Sequence, residues 1–255
     1  GEGLGRVLTV ALGLCLVCSI VVSTAAVLLK PAQQANKTLD LKRNILMAAG
    51  LLDPSRSVEE QFEQVETRIV NLDAGQFVEG VDPASFDQRQ AAKDPAQSRA
   101  IPNDEDAAKL VRREDQALVD LVRTDGGARD KIILPIRGYG LWSTLYGFMA
   151  LESDGNTIAG LGFYEHGETP GLGGEVDNPR WKSIWPGKLV YQGNEVAIEV
   201  LKGSVRAGSP QAQWQVDGLS GATLTTKGVD NLVKYWLGEQ GFKPLLDNLR
   251  QGEVS

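Results

Sequence analysis

Residues 7–29 form an uncharged run of 23 between Arg6 and Lys30, and no other feature restricts the fold as strongly. As a helix rising 1.5 Å per residue the run reaches about 35 Å, longer than the roughly 30 Å hydrocarbon core of a bilayer. It reads as one transmembrane helix. A cleavable signal peptide is the competing reading, because Ser23, Thr24, Ala25 and Ala26 are small residues near a possible cleavage point. The stretch is, however, longer than a signal core of about 7–15 residues. A lipid anchor at Cys18 is disfavoured by Val17, which is larger than the small residue expected before a lipidated cysteine. Gly1 is not a methionine, so residues are expected upstream of it.

Both cysteines, Cys15 and Cys18, lie inside that run. Their C-x-x-C spacing would suggest metal or redox chemistry in water, but on a membrane helix without a neighbouring His or Cys it reads as two small apolar residues. An iron–sulfur or other metal role would need ligands from another chain, so no metal ligand and no catalytic residue is assigned. With no cysteine elsewhere, a disulfide framework is excluded. The net charge is −7 and no basic run appears, which argues against a nucleic-acid partner. Glycine is abundant, at 29 residues, and densest over 138–174, a sign of tight turns and close backbone approach to a ligand.

After the apolar run, residues 31–52 continue as a polar, helix-capable stretch. Residues 57–71 read as a helix with Ser57 and Glu60 as a capping box and Phe62, Val65 and Ile69 as its stripe. Residues 72–103 are short segments and turns, and 104–123 are a second helical candidate around Leu110, Val111, Leu118 and Val122. Beyond Asp125-Gly126-Gly127 the period changes to that of strands, over 131–136, 141–151 and 157–164, with Asp154-Gly155-Asn156 as a hairpin turn. A second pair spans 188–191 and 195–201 around Gln192-Gly193-Asn194, and 214–216 is a last short strand. Helices are predicted over 224–238 and 243–249. The pattern implies an α+β chain: a membrane anchor over 1–30, a mainly helical membrane-proximal region over 31–125, and over 126–255 a mostly antiparallel sheet with flanking helices.

Chemistry concentrates in two strings. The first is Asp217-Gly218-Leu219-Ser220-Gly221-Ala222-Thr223, followed by Leu224-Thr225-Thr226-Lys227, in which a short strand passes through two glycines into an amphipathic helix. Thr223 falls at the helix entrance, where free N–H groups and the positive end of the helix dipole favour a phosphate. An ordinary helix cap is the plainer reading of the same residue. Thr225 and Thr226 fall inside the helix, where a hydroxyl tends to bond back to the preceding turn. The second string is His166-Gly167-Glu168-Thr169-Pro170-Gly171-Leu172-Gly173-Gly174-Glu175-Val176. Its Gly-rich turns can point several N–H groups into one concavity, suited to the polar edge of a ligand, although Gly-x-Gly is also common turn punctuation. It lacks the spacing of a Rossmann fingerprint. His166 is the only histidine, so no His-based triad can be assembled; a turn residue bonded within its own loop is its plain reading.

Asp-x-x-Ser-Gly-Ala-Thr resembles the flavinylation motif of FMN-carrying redox proteins, and His-x-Glu-Thr-Pro-Gly-Leu-Gly resembles the second motif of the same FMN-binding domains. With the single anchor, Lys93-Asp94-Pro95, Ile101-Pro102 and the stretch from Pro135 to Trp142 in order, the whole chain resembles the family of C subunits of the sodium-translocating NADH:quinone oxidoreductases. The G subunit of the Rnf complex is a shorter cousin, and a stand-alone membrane-tethered flavoprotein is a further alternative. The resemblance implies FMN esterified through its phosphate to Thr223, installed from FAD by a flavin transferase with a divalent metal, and Asp217 positioning the phosphate or metal. It further implies cofactor contacts from Ser220, Gly221, Ala222, Leu224 and Thr225, from Glu168, Thr169, Pro170, Gly171, Leu172 and Gly173, and from Trp142, which could equally fill the core. It implies an electron-relay subunit in the bacterial inner membrane, with other redox subunits and membrane lipid as partners and the flavin domain in the periplasm. The visible charges after the anchor, Lys30, Lys37, Lys42 and Arg43, would by themselves put that side in the cytoplasm. Nothing in the chain reads as an NADH site, and one membrane helix cannot enclose a sodium path.

Overall fold

The structure, a computed structural model, describes residues 2–254 and divides into two units, one through Lys42 and one from Arg43 onward. In chain order the elements are α1 (Glu2–Ala48), α2 (Val58–Phe62), β1 (Val65–Asn71), β2 (Gln76–Phe77), α3 (Gln88–Ala91), β3 (Ser98–Ala100), β4 (Arg112–Glu114), β5 (Gln116–Arg123), β6 (Arg129–Tyr139), β7 (Thr144–Glu152), β8 (Ile158–Glu165), α4 (Pro179–Lys182), β9 (Tyr191–Gln192), β10 (Glu195–Val196), β11 (Glu199–Val200), β12 (Gln215–Val216), α5 (Thr223–Leu237) and α6 (Lys243–Gln251).

The first unit is the apolar part of α1, the one helix among the described residues long and apolar enough to cross a membrane. Cys15 and Cys18 are exposed on it. The helix continues through Pro31 and ends in the second unit, where Gly50 takes φ +68. There Leu51 N–H donates to the Leu46 carbonyl (2.8 Å) and Gly50 N–H to that of Met47 (3.1 Å). This is the Schellman arrangement, which satisfies the last carbonyls and needs a residue tolerant of the left-handed region.

The second unit is built on a six-stranded sheet in the order β2-β1-β5-β6-β7-β8, every pairing antiparallel. Alternation along the central strands sends side chains to two cores. Ile132, Leu134 and Ile136 of β6, with Leu145, Met149 and Leu151 of β7, pack with Val229, Leu232, Val233 and Trp236 of α5 and Leu245, Leu246 and Leu249 of α6. Ile133, Phe148 and Ala150, on the other face, pack with Ile45, Ala48 and Ala49 at the end of α1. The result is the expected α+β architecture, an antiparallel sheet with helices on its faces.

Two sequence expectations are corrected. The helix over 57–71 stops at Phe62, although Ser57 does cap it through the Glu60 N–H (3.2 Å). The β-branched residues Val65, Thr67, Ile69 and Val70 instead form β1, paired residue for residue with β5 from Val65↔Val122 to Asn71↔Gln116. The helix over 104–123 is also absent. The Asp106 carboxylate accepts the N–H groups of Leu110 and Val111, both at 2.7 Å, and Lys109 and Val111 adopt φ of 54° and 66°, which no right-handed helix permits. In place of a mainly helical region, residues 65–123 supply β1, β2 and β5 to the sheet.

The end of α1 lies so close to β8 that a Cβ built on Gly160 would stand 2.1 Å from the Ala48 carbonyl oxygen. A Gly160→Ala substitution must therefore push the helix end off the sheet, and overpacking of this kind costs about 1–3 kcal/mol. The expected outcome is a lower urea midpoint for the detergent-solubilised chain; an unchanged midpoint would contradict this contact.

Candidate functional site

The turn into α5 is held from several sides. Asp217, after β12, accepts the Val205 N–H on Oδ1 (2.7 Å) and the Trp181 indole N–H on its carbonyl (2.8 Å), while Gly218 N–H donates to Gly203 (2.9 Å). Gly221 takes φ +73, which turns the chain into the helix. The N-cap position falls on Ala222, which has no side-chain acceptor to offer. The N–H groups of Thr223, Leu224 and Thr225 consequently make no hydrogen bond among the described residues, and the first closed bond is Thr226 N–H to Ala222 (2.9 Å). Three unpaired N–H groups at the positive end of a 15-residue helix are a ready anion site.

The three threonines of this turn differ sharply. Thr225 is buried and its hydroxyl donates to Glu168 Oε2 (2.7 Å). Thr226 is buried and its hydroxyl oxygen accepts the Leu219 N–H (2.9 Å). Neither bonds back along its own helix as expected from sequence; each makes a bond outside it. Thr223 is exposed and its hydroxyl is unengaged among the described residues.

Beside this turn is a cleft of about 220 Å³ lined by Leu141, Trp142, Glu168, Thr169, Leu172, Gly173, Gly221, Ala222 and Thr225. Its volume is below the roughly 300–1,000 Å³ of pockets that enclose a drug-sized ligand, so it can grip one edge of a planar ring and leave the rest exposed. Large apolar side chains stand open around it: Trp142 is 66% exposed, Leu172 46% and Leu224 61%. Core filling, the plainer reading of Trp142, is ruled out by that exposure. Leu172 reaches over Gly221, its Cδ2 lying 3.3 Å from where a Cβ would be.

Glu168, only 5% exposed, organises the cleft wall. Its carboxylate accepts the N–H groups of Leu141 (3.1 Å), Trp142 (3.0 Å) and Ser143 (3.2 Å) as well as the Thr225 hydroxyl. Burial pushes this carboxyl up, but the Thr225 hydroxyl and the three N–H groups together outweigh burial and hold it below the usual glutamate value of 4.5. Ser143 Oγ also accepts the Gly167 N–H (2.6 Å), and His166 spans the base of the loop, with Nδ1 accepting the Glu168 N–H (3.2 Å) and Nε2 against Asp177 Oδ2 (2.8 Å). His166 is thus a loop brace, as its plain reading had it.

The structure brings together on the cleft Trp142, Glu168, Thr169, Leu172, Gly173, Gly221, Ala222 and Thr225 from the predicted set. Thr223 and Leu224 follow directly at its edge. Asp217, Ser220, Pro170 and Gly171 do not line it. Leu141 and Ser143 were missed as individual site residues; the strand pattern over 141–151 hid the turn at 140–143, where Gly140 N–H closes on the Ser143 carbonyl (2.8 Å). The residues present fit a phosphorylated flavin: free N–H groups and an open hydroxyl for the phosphate, apolar side chains for the ring, and unengaged N–H groups of Thr169 and Gly173 for its polar edge.

Fold and cleft define a flavoprotein domain, and residues 140–238 match the family described as FMN-binding domain. Along its whole length the chain is similar to proteins named as the C subunit of the Na(+)-translocating NADH-quinone reductase. The one from Pseudomonas aeruginosa is 54% identical over 99% of this chain and 98% of the relative. The one from Vibrio vulnificus is 48% identical over 100% and 98%. Among solved structures, Shewanella oneidensis NqrC superposes with a TM-score of 0.78 at 37% identity, covering 85% of this chain and 99% of that one. The structure of the corresponding reductase subunit from Parabacteroides distasonis gives 0.66 at 32% identity, covering 86% and 96%. The chain belongs to the NqrC family, the C subunits of the Na+-translocating NADH-quinone reductase, and is a membrane-anchored flavoprotein of that oxidoreductase complex.

Because the Glu168 value is depressed in the fold, its stabilisation is fully present above the unfolded value of 4.5 and is lost as pH falls through the lower folded value. Amide exchange at Leu141, Trp142 and Ser143, corrected for intrinsic rate, is therefore expected to stay level above pH 4.5 and to rise only below it. A loosening centred above pH 4.5 would contradict an ionised Glu168 in the folded cleft.

Proposed function

We propose that this chain carries FMN as a phosphoester on Thr223 and relays electrons between other redox centres of the complex, without oxidising NADH itself. The observation that carries the reading is the contrast among the threonines: only Thr223 presents an unengaged, solvent-open hydroxyl beside three free N–H groups. Those N–H groups suit a phosphate, and Leu172, Leu224 and Trp142 suit the ring faces. The flavin supplies the redox chemistry; the protein holds it, orients it and sets its surroundings. A flavin transferase using FAD and a divalent metal makes the ester. Asp217 Oδ2, unpartnered among the described residues, is the oxygen available to position phosphate or metal during that step.

The anchor and the family support residence in the bacterial inner membrane beside the other subunits, with the flavin domain on the periplasmic side. There a dissociable cofactor would be lost by dilution, and covalent attachment removes that route. The membership of the chain in the NqrC family favours this complex over the Rnf alternative.

In the full chain, Thr223→Val keeps the shape but removes the nucleophilic oxygen, and is expected to abolish flavin fluorescence on a denaturing gel. Within the assembled complex the same variant is expected to spare NADH oxidation by an artificial acceptor yet stop quinone reduction and its coupled sodium transport. Fluorescence retained in this variant, or lost only in Thr225→Val, would move the site. For sidedness, a Glu253→Cys chain in intact cells is expected to react with a membrane-impermeant thiol reagent; protection would reject the periplasmic assignment.

A further inference from the structure

Glu168 is a buried carboxylate with no lysine or arginine paired to it among the described residues. Its surroundings are shaped to admit it. A Cβ on Gly140 would fall 2.7 Å from Oε1, and one on Gly173 would fall 2.8 Å from Oε2 and 2.5 Å from the Thr225 hydroxyl. The bonds it accepts come from two separate sources: the turn between β6 and β7, through three N–H groups and the Ser143 hydroxyl at 3.5 Å, and the first turn of α5 at Thr225, two residues beyond Thr223. The N–H groups crowd onto Oε1 while Oε2 takes the Thr225 hydroxyl and a longer contact from Leu141 (3.3 Å), so both oxygens are engaged within the protein. An amide side chain at this position would keep one acceptor oxygen for the N–H groups gathered on Oε1, and its NH2, in place of Oε2, would turn the Thr225 hydroxyl from donor to acceptor. Only a carboxylate accepts on both oxygens at once and adds a negative charge.

We infer that Glu168 is a positioning residue for the flavin rather than a ligand of it: its carboxylate ties the 141–143 turn to the flavin-bearing helix and fixes a negative charge in the cleft wall, which lowers the reduction potential of the bound cofactor. The inference rests on the proposed attachment at Thr223. Its physical basis is that reduction adds electron density to the ring, and a fixed anion in a poorly solvated wall opposes that addition more strongly than the same charge in water. The Thr225 hydroxyl, donating to the same carboxylate, partly neutralises its field. Removing the charge and removing that hydroxyl are consequently opposite perturbations.

Spectroelectrochemical titration of the flavinylated full chain tests this with Glu168→Gln and Thr225→Val. The midpoint potential is expected to rise in Glu168→Gln and to fall in Thr225→Val, both with the covalent flavin retained, and amide exchange at Leu141, Trp142 and Ser143 is expected to quicken markedly in Glu168→Gln. Faster exchange in Glu168→Gln without a rise in potential would leave only a structural brace and overturn the inference. Should Glu168→Gln not fold, Thr225→Val decides alone, since a potential that is unchanged or raised there contradicts the charge argument. Wild-type chain lacking covalent flavin would instead overturn the attachment itself, a result seen before any variant is titrated.

Discussion

The site depends on how closely α5 lies along β6. Trp236, fully buried, donates its indole N–H to the Arg137 carbonyl at 2.7 Å. One strand position further, a Cβ on Gly138 would stand 2.4 Å from Leu232 Cβ, and across the interface one on Gly228 would stand 2.5 Å from the Tyr139 carbonyl oxygen. At Gly228 the two backbones meet directly, and at Gly138 the Leu232 side chain packs straight onto the strand backbone. That contact fixes the axis of α5, and with it the direction in which the free N–H groups of its first turn point. The end of β6 leads at once into the 140–143 turn, so the same contact sets two walls of the cleft. Leu232, Val233 and Trp236 bury against the sheet, and burial of such side chains is worth about 1.5–3 kcal/mol each. The position of Thr223 is thus a consequence of core packing several turns away.

Much of this was readable from residue order. The Asp217–Thr223 string announced a strand passing into a helix, and the hairpin turns at Asp154-Gly155-Asn156 and Gln192-Gly193-Asn194 placed β7, β8, β9 and β10. Strands β1 and β5 were not readable, and the reason is physical. In β5, Val119 and Leu121 face one core while Val122 faces the other, so burial on both faces erases the period of two that marks a strand. In β1, the spacing of Val65 and Ile69 mimics one helical turn, and only pairing with β5 decides between the two. The Glu168–Thr225 bond was equally out of reach, because it joins residues 57 apart in the chain.

The arrangement suits a carrier. A cleft that grips one edge of a ring leaves the remainder open, and electron exchange with a partner needs such openness more than enclosure. The exposed Trp142, Leu172 and Leu224 would be a liability on an isolated domain, and a flavin held as proposed would cover them. Behind them the polar groups of the loop are paired: Glu168 with its donors and His166 with Asp177. Paired polar groups behind an apolar rim suit holding a ring in one orientation, and an ester at the helix start, as proposed, would keep it from leaving.

The central claim is that the flavin is bonded to Thr223. Cleavage after Arg206 and Lys227 releases one peptide containing Thr223, Thr225 and Thr226 together. The measurement is tandem mass spectrometry of that peptide from the membrane-extracted protein. The account predicts a mass increase of one FMN less one water, retained on fragments that begin at Thr223 and absent from those that begin at Leu224. An unmodified peptide, or a modification carried by Thr225 or Thr226, would contradict it.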